Sequence, residues 1–112
     1  MSDWDLRPAE PIGTVEADSP KHDASKPRWD LLPVDAVEAV VRVLDFGARK
    51  YEVDGWRHVR DAWRRYYAAT MRHLTAWWRG EERDPESGEH HLAHAACCLL
   101  FLIEIDAEGG LR

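Results

Sequence analysis

The sequence predicts an all-α fold, a small bundle of three main helices completed by oligomerisation. Three observations carry this. Apolar residues recur at three- and four-residue steps in three segments, no segment alternates with a period of two, and glycine or proline breaks separate the segments. At 112 residues the chain fits one domain. A domain of this size buries only about 60–70% of its unfolded surface, so a second copy would complete its core. The expectation is a homodimer or homotetramer.

Residues 1–25 hold Pro8, Pro11, Gly13, Ser19 and Pro20 with many acids and no apolar period, which reads as an extended or disordered arm. The helical domain is expected over residues 26–112. Its lead-in, KPRWDLLP from Lys26 to Pro33, mixes basic, aromatic and aliphatic residues and closes on a proline. The first helix starts after Pro33, with Val34, Val37, Val41, Leu44, Ala48 and Tyr51 as its expected inner line. Asp35 sits where the helix dipole favours an acid, and Glu38–Arg42 and Asp45–Arg49 form acid-to-base pairs one turn apart on the outer face. Gly55 marks the break.

The second helix is expected from Asp61 to Arg79, with Gly80 as its stop. Its apolar line is Trp63, Tyr66, Thr70, His73 and Trp77, widened by Tyr67, Leu74 and Trp78. The connection Glu81 to Gly88 (EERDPESG) is acidic and turn-forming, and its Glu81-Glu82 pair reads as a hydrated helix end. The third helix is expected from near Ser87 or Glu89 to about Glu108. It is apolar on nearly every face between Ala95 and Ile105, which implies burial on all sides. In a three-helix chain such burial is easiest when part of that face packs on a second subunit.

Charge narrows the function classes. The formal net charge is -6 and no block of Lys/Arg dominates any segment. Neither polymeric nucleic acid nor an anionic membrane would find a basic stripe to meet. Small nucleotides stay open, because a bound cation supplies positive charge locally. Cys97 and Cys98 are adjacent inside an apolar run and point about 100° apart on a helix, so they read as small core residues in a reducing compartment. Met1 to Asp5 shows no basic region followed by an apolar one, and the apolar run from Leu92 to Ile105, interrupted by His94 and Glu104, is too short to span a bilayer. A cytoplasmic protein is expected.

The residues able to carry chemistry cluster in the second half of the chain. His73 falls on the apolar seam of the second helix, while His91 and His94, three apart, share the inward face of the third. Three imidazoles thus point toward the end of the bundle nearest the acidic connection, where Asp84 and Glu86 would add oxygen ligands for a divalent metal. A lone inward histidine is usually a satisfied core residue, and that reading suits His73 taken alone. For three together it is weaker, because each buried imidazole needs a partner. Lys26, Arg28 and Lys50 are candidates for phosphate contacts, Tyr51 and Trp56 for stacking on a base, and Glu86 or Glu89 for the general base. Against these stands the ordinary behaviour of lone basic residues as solvated surface and of aromatic residues at helical spacing as core. No Gly-rich phosphate loop and no Ser or Cys nucleophile motif is present.

At these residues the chain resembles a known family. KPRWDLLP, FGARKY, Trp56, YYAATMRHLTAWWRGE and DPESGEHHLAHAACCLLFLIE together are similar to the N-terminal domain of phage dATP/dGTP diphosphohydrolases, over about Lys26 to Glu104. DPESG followed by H-x-x-H-A is the most specific part. The resemblance implies hydrolysis of a purine deoxynucleoside triphosphate to monophosphate and pyrophosphate, with Mg²⁺ or Mn²⁺. It also implies kinship with the all-α pyrophosphohydrolases similar to MazG, which are obligate oligomers. Those hold their ions with an E-x-x-E helix followed by an E-x-x-D helix, whereas here His91 and His94 stand at the third-helix positions and no E-x-x-E precedes them. An imidazole-rich set suits Mn²⁺, Fe²⁺ or Zn²⁺ better than Mg²⁺. The alternative is a non-catalytic helical phage accessory module that binds a nucleotide or a protein partner.

Overall fold

The structure, a computed structural model, describes residues 24–109. Nearly all of the expected arm, residues 1–23, lies outside that range. The described residues fall into two units, one up to Asp30 and one from Leu31 onward. The second holds helices α1 (Val34–Lys50), α2 (Ala62–Trp78) and α3 (His91–Ala107), with a short 3₁₀ turn over Gly55–His58 between α1 and α2. No strand occurs among the described residues, only an isolated antiparallel bridge between Arg83 and His90. No helix among them is long and apolar enough to cross a membrane.

Pro33 precedes α1 because it cannot continue a helix backwards, and its carbonyl accepts the Val37 N–H at 3.1 Å. Gly80 ends α2. Its φ of 105° lets the next residue's N–H, that of Glu81, turn back onto the Ala76 carbonyl at 2.9 Å. The start of α3 comes later than the sequence suggests, at His91 rather than near Ser87. Asp84 takes the Ser87 N–H on its side chain at 3.1 Å and the Gly88 N–H on its carbonyl at 2.7 Å, so DPESG closes on itself as a turn. The His91 N–H then reaches the Glu82 carbonyl, and His90 caps α3 by accepting the Leu92 N–H on Nδ1 at 3.0 Å.

Helix α3 is the centre of the second unit, packing on both α2 and α1. Its inner face buries His91, Ala93, Ala95, Cys97, Cys98 and Ile105. Burial all round does not follow in a single chain, since Leu99, Leu100 and Ile103 remain exposed. The inner face of α1 is also rotated from the expected line. Val43 is buried, with Ala39, Val40 and Leu44 packed beside it, while Val34, Val41 and Tyr51 face solvent. The VDAVEAVVRVL stretch is apolar over a broad arc, so three-residue spacing alone left two candidate faces, and packing on the Ala93–Cys97 stretch selects one. On α2, Tyr66, Thr70, His73 and Trp77 turn inward as expected, whereas Trp63, Tyr67 and Trp78 are exposed.

Candidate functional site

A cleft of 1490 Å³ opens in the second unit, with residues of α1, the Tyr51–Asp61 connection and α2 as its walls and His94, Cys97, Cys98 and Phe101 of α3 along its floor. It exceeds the about 300–1,000 Å³ of an ordinary small-molecule pocket, as a half-open bundle would. Beyond His94 the floor is apolar, and its thiols are chemically quiet. Burial pushes the Cys97 thiol up to about 12 and raises Cys98 as well, so neither offers a thiolate.

The three histidines meet at its edge, two of them lining it, as the shared faces of the second and third helices predict. The His73 and His94 rings stack with centroids 4.5 Å apart at 9°, and His73 Nδ1 lies 2.8 Å from His91 Nδ1. His94 Nε2 is 2.6 Å from Ser87 Oγ and 3.6 Å from Asp84 Oδ2. The other nitrogen of His91, Nε2, contacts Glu81 Oε1 at 2.6 Å.

His73, His94, Asp84 and Glu86 line the cleft; His91 does not. It sits behind His73, 4% exposed, with both ring nitrogens on protein partners, so it has no lone pair to turn toward the cleft. The expected five-residue metal set therefore loses His91. Two imidazoles and two carboxylates facing one space remain, and that donor chemistry suits a divalent cation. Among the described residues no three such groups surround one point.

The other candidates separate. Lys50 is ion-paired with Glu86 along the cleft wall, and its ammonium stands over the exposed Tyr51 ring. Glu86 thus stays a candidate base within the cleft. Glu89 does not, because Arg42 holds it at 3.0 Å and it takes no part in the lining. Trp56 lines the cleft but is stacked on Phe101 at 4.5 Å with the Arg57 guanidinium 4.3 Å from its ring, so its ring is committed to the wall rather than open to a base. Arg28 is tied to Asp30 at 2.5 Å, and both Lys26 and Arg28 belong to the first unit. Sequence reasoning missed Arg64, Arg65 and Arg72, three arginines that line the cleft; the Arg64 guanidinium stands 5.0 Å from the Trp63 ring centre and Arg65 Nη1 donates to the Arg60 carbonyl at 3.5 Å. The signal was there, since Arg65 and Arg72 are seven residues apart and so share one face of α2.

Burial, then the neighbouring His94 and His91, push His73 down to about 4. Burial likewise lowers His94. Burial would raise Asp84, but the hydrogen bonds from Ser87 and the nearby His94 hold it below the ordinary carboxylate value. Two neutral imidazoles and an ionised carboxylate therefore face the cleft at pH 7. The two depressed histidines also set an acid limit. Between the ordinary imidazole value of 6.5 and the depressed one of His73, the unfolded chain binds more protons than the folded one. Stability should be full above that ordinary value and decline as pH falls toward 4. Urea midpoints at pH 7 and pH 5 check this, with a smaller drop expected in His73→Leu.

With this geometry in place, the comparisons with known proteins decide the family. The family described as dATP/dGTP diphosphohydrolase, N-terminal, matches residues 16–111. The chain belongs to that family. A dATP/dGTP diphosphohydrolase of Salmonella phage PMBT28 is 34% identical over 82 residues, which are 73% of this chain and 28% of that protein. The chain therefore spans little more than a quarter of that relative's length. No solved structure matches it. The cleft residues, Val43 to Phe101, all fall within the matched 16–111 region.

Proposed function

We propose that the cleft hydrolyses purine deoxynucleoside triphosphates, dATP or dGTP, to the monophosphate and pyrophosphate, as an editor of the phage nucleotide pool in the host cytoplasm. The observation that carries the reading is the meeting, in one cleft, of four cationic side chains with two neutral imidazoles and five carboxylates, Asp84 and Glu86 among them. The phage relative's name supports this substrate class. Arg64, Arg65, Arg72 and Lys50 neutralise the triphosphate, the guanidinium groups through paired N–H···O bonds. A phosphate that takes Glu86's place beside Lys50 leaves the Glu86 carboxylate free to accept a proton. Water then attacks the α-phosphorus, its proton passes to Glu86, and the bond from that phosphorus to the bridging oxygen breaks as pyrophosphate leaves. His73, His94, Asp84 and Glu86 are the groups that would hold a divalent ion, Mg²⁺ or Mn²⁺ first and Zn²⁺ or Fe²⁺ next. Bound there, such an ion supplies charge neutralisation and a more acidic water. The reading includes kinship to the all-α MazG-like pyrophosphohydrolases, with which the helical build of the second unit is consistent.

The test is pyrophosphate release from each of the four deoxynucleoside triphosphates, with Mg²⁺, with Mn²⁺ and with chelator. Release from the purine substrates alone, dependent on a divalent ion, supports the reading. Binding without turnover points instead to the accessory module.

The same reading includes a homodimer or homotetramer. What favours it is the row Leu99, Leu100 and Ile103 on α3, at 48%, 47% and 64% exposure, with Val34 and Val41 left exposed on α1. Sedimentation at micromolar concentration should give a mass of at least twice 12.9 kDa, and Ile103→Glu should halve it. A compact monomer contradicts this part.

A further inference from the structure

We infer that Glu81 and His91 form a hydrogen-bonded relay that fixes the tautomer of His73, so that His73 presents the lone pair of Nε2 to the cleft. Each neutral imidazole carries one N–H and one lone pair. The Glu81 carboxylate has no hydrogen to give, so the 2.6 Å contact requires His91 Nε2–H to donate. His91 Nδ1 is then an acceptor. The 2.8 Å contact between the two Nδ1 atoms follows only if His73 Nδ1–H donates. His73 is left with its lone pair on Nε2, on the ring that lines the cleft. With both rings neutral, one orientation of each bond satisfies both contacts; a doubly protonated His91 would instead donate from Nδ1 to His73.

The arrangement is layered. His91 is buried, and Glu81 is on the outer surface with 54% of its side chain exposed. The turn at Gly80 sets Glu81 directly after α2, which also carries His73, and its partner His91 opens α3. A carboxylate behind a histidine is the usual means of fixing which ring nitrogen is offered to a cation and of raising its basicity. Here the fixing passes through a second histidine. Glu81 and His91 are positioning residues, since neither lines the cleft. The inference deepens the proposed function and rests on it only for what the lone pair receives.

The test is the long-range proton–nitrogen spectrum of the histidine rings in metal-free protein, followed by titration with Mn²⁺ alone. The wild type should show His91 as the Nε2–H form and His73 as the Nδ1–H form. Glu81→Ala, at an exposed position, should leave the helices intact, mix the tautomers of both rings and weaken Mn²⁺ uptake about 10- to 100-fold. Glu82→Ala, one residue on, should change neither. A wild-type His73 in the Nε2–H form, or a doubly protonated His91, overturns the relay, and that spectrum decides even if Glu81→Ala does not fold. Unchanged tautomers in Glu81→Ala overturn the role of Glu81. The expected tautomers in a protein that releases no pyrophosphate would uphold the relay while removing the proposed activity.

Discussion

Hydrolysis of the purine triphosphate should fall about 100-fold or more in His73→Ala, with helix content unchanged. The expected size is that of losing a positioned base or ligand outright. His73 is the imidazole with the strongest claim, because it lines the cleft, stacks on His94 and keeps one nitrogen uncommitted by the relay. A histidine serving only as core would behave differently. Its removal would break the bond to His91, cost about 1 kcal/mol of stability, and leave turnover alone. Urea unfolding and kcat measured on the same preparation separate the two. His94→Ala should parallel His73→Ala, while Glu89→Ala, outside the cleft, should retain activity.

The second large effect is expected from the guanidinium wall. Arg65→Ala with Arg72→Ala should lower kcat/KM at least about 100-fold, taking about 1.5–3 kcal/mol for each charge-assisted bond to phosphate. Most of the change should appear in KM, because the triphosphate is held in both ground and transition states. Lysine at both positions should recover part of the loss, since it restores charge without the paired N–H geometry. The loss of affinity should be smaller for the product monophosphate, measured as a competitive inhibitor, than for the triphosphate. An equal loss with both would mean that these residues hold the fold and not the phosphates.

Much of the fold was legible because the punctuation is local. Pro33 and Gly80 each act through their own backbone, so the start of α1 and the end of α2 fall within a residue or two of expectation. The start of α3 was less legible, because Asp84 draws the Ser87 and Gly88 N–H groups into a closed turn that a periodicity argument does not see. The inner face of α1 was ambiguous for a different reason. Valine and alanine cover both sides of that helix, and only the partner surface decides between them.

At the site, the i,i+3 spacing of His91 and His94 and the seam position of His73 were enough to bring the three rings together. Depth was not legible. Nothing in the spacing says that His91 lies behind His73 or that Glu81, which reads as a hydrated helix end, supplies the carboxylate behind it. Trp56 was misjudged because its stacking partner, Phe101, is 45 residues away in sequence. Arg64, Arg65 and Arg72 were passed over because solvated surface is the ordinary fate of arginine, and only the three-dimensional cleft sets them apart.

Every role proposed for these residues requires that the nucleotide occupy this cleft. Titration of the isotope-labelled protein with the α,β-methylene analogue of dGTP, whose bond to the leaving pyrophosphate resists hydrolysis, tests it most directly. Saturable shifts at Arg65, Arg72, His73 and His94, with Leu99 and Ile103 on the outer face of α3 unmoved, are the predicted result. Absence of binding, or shifts confined to the outer face, would contradict it.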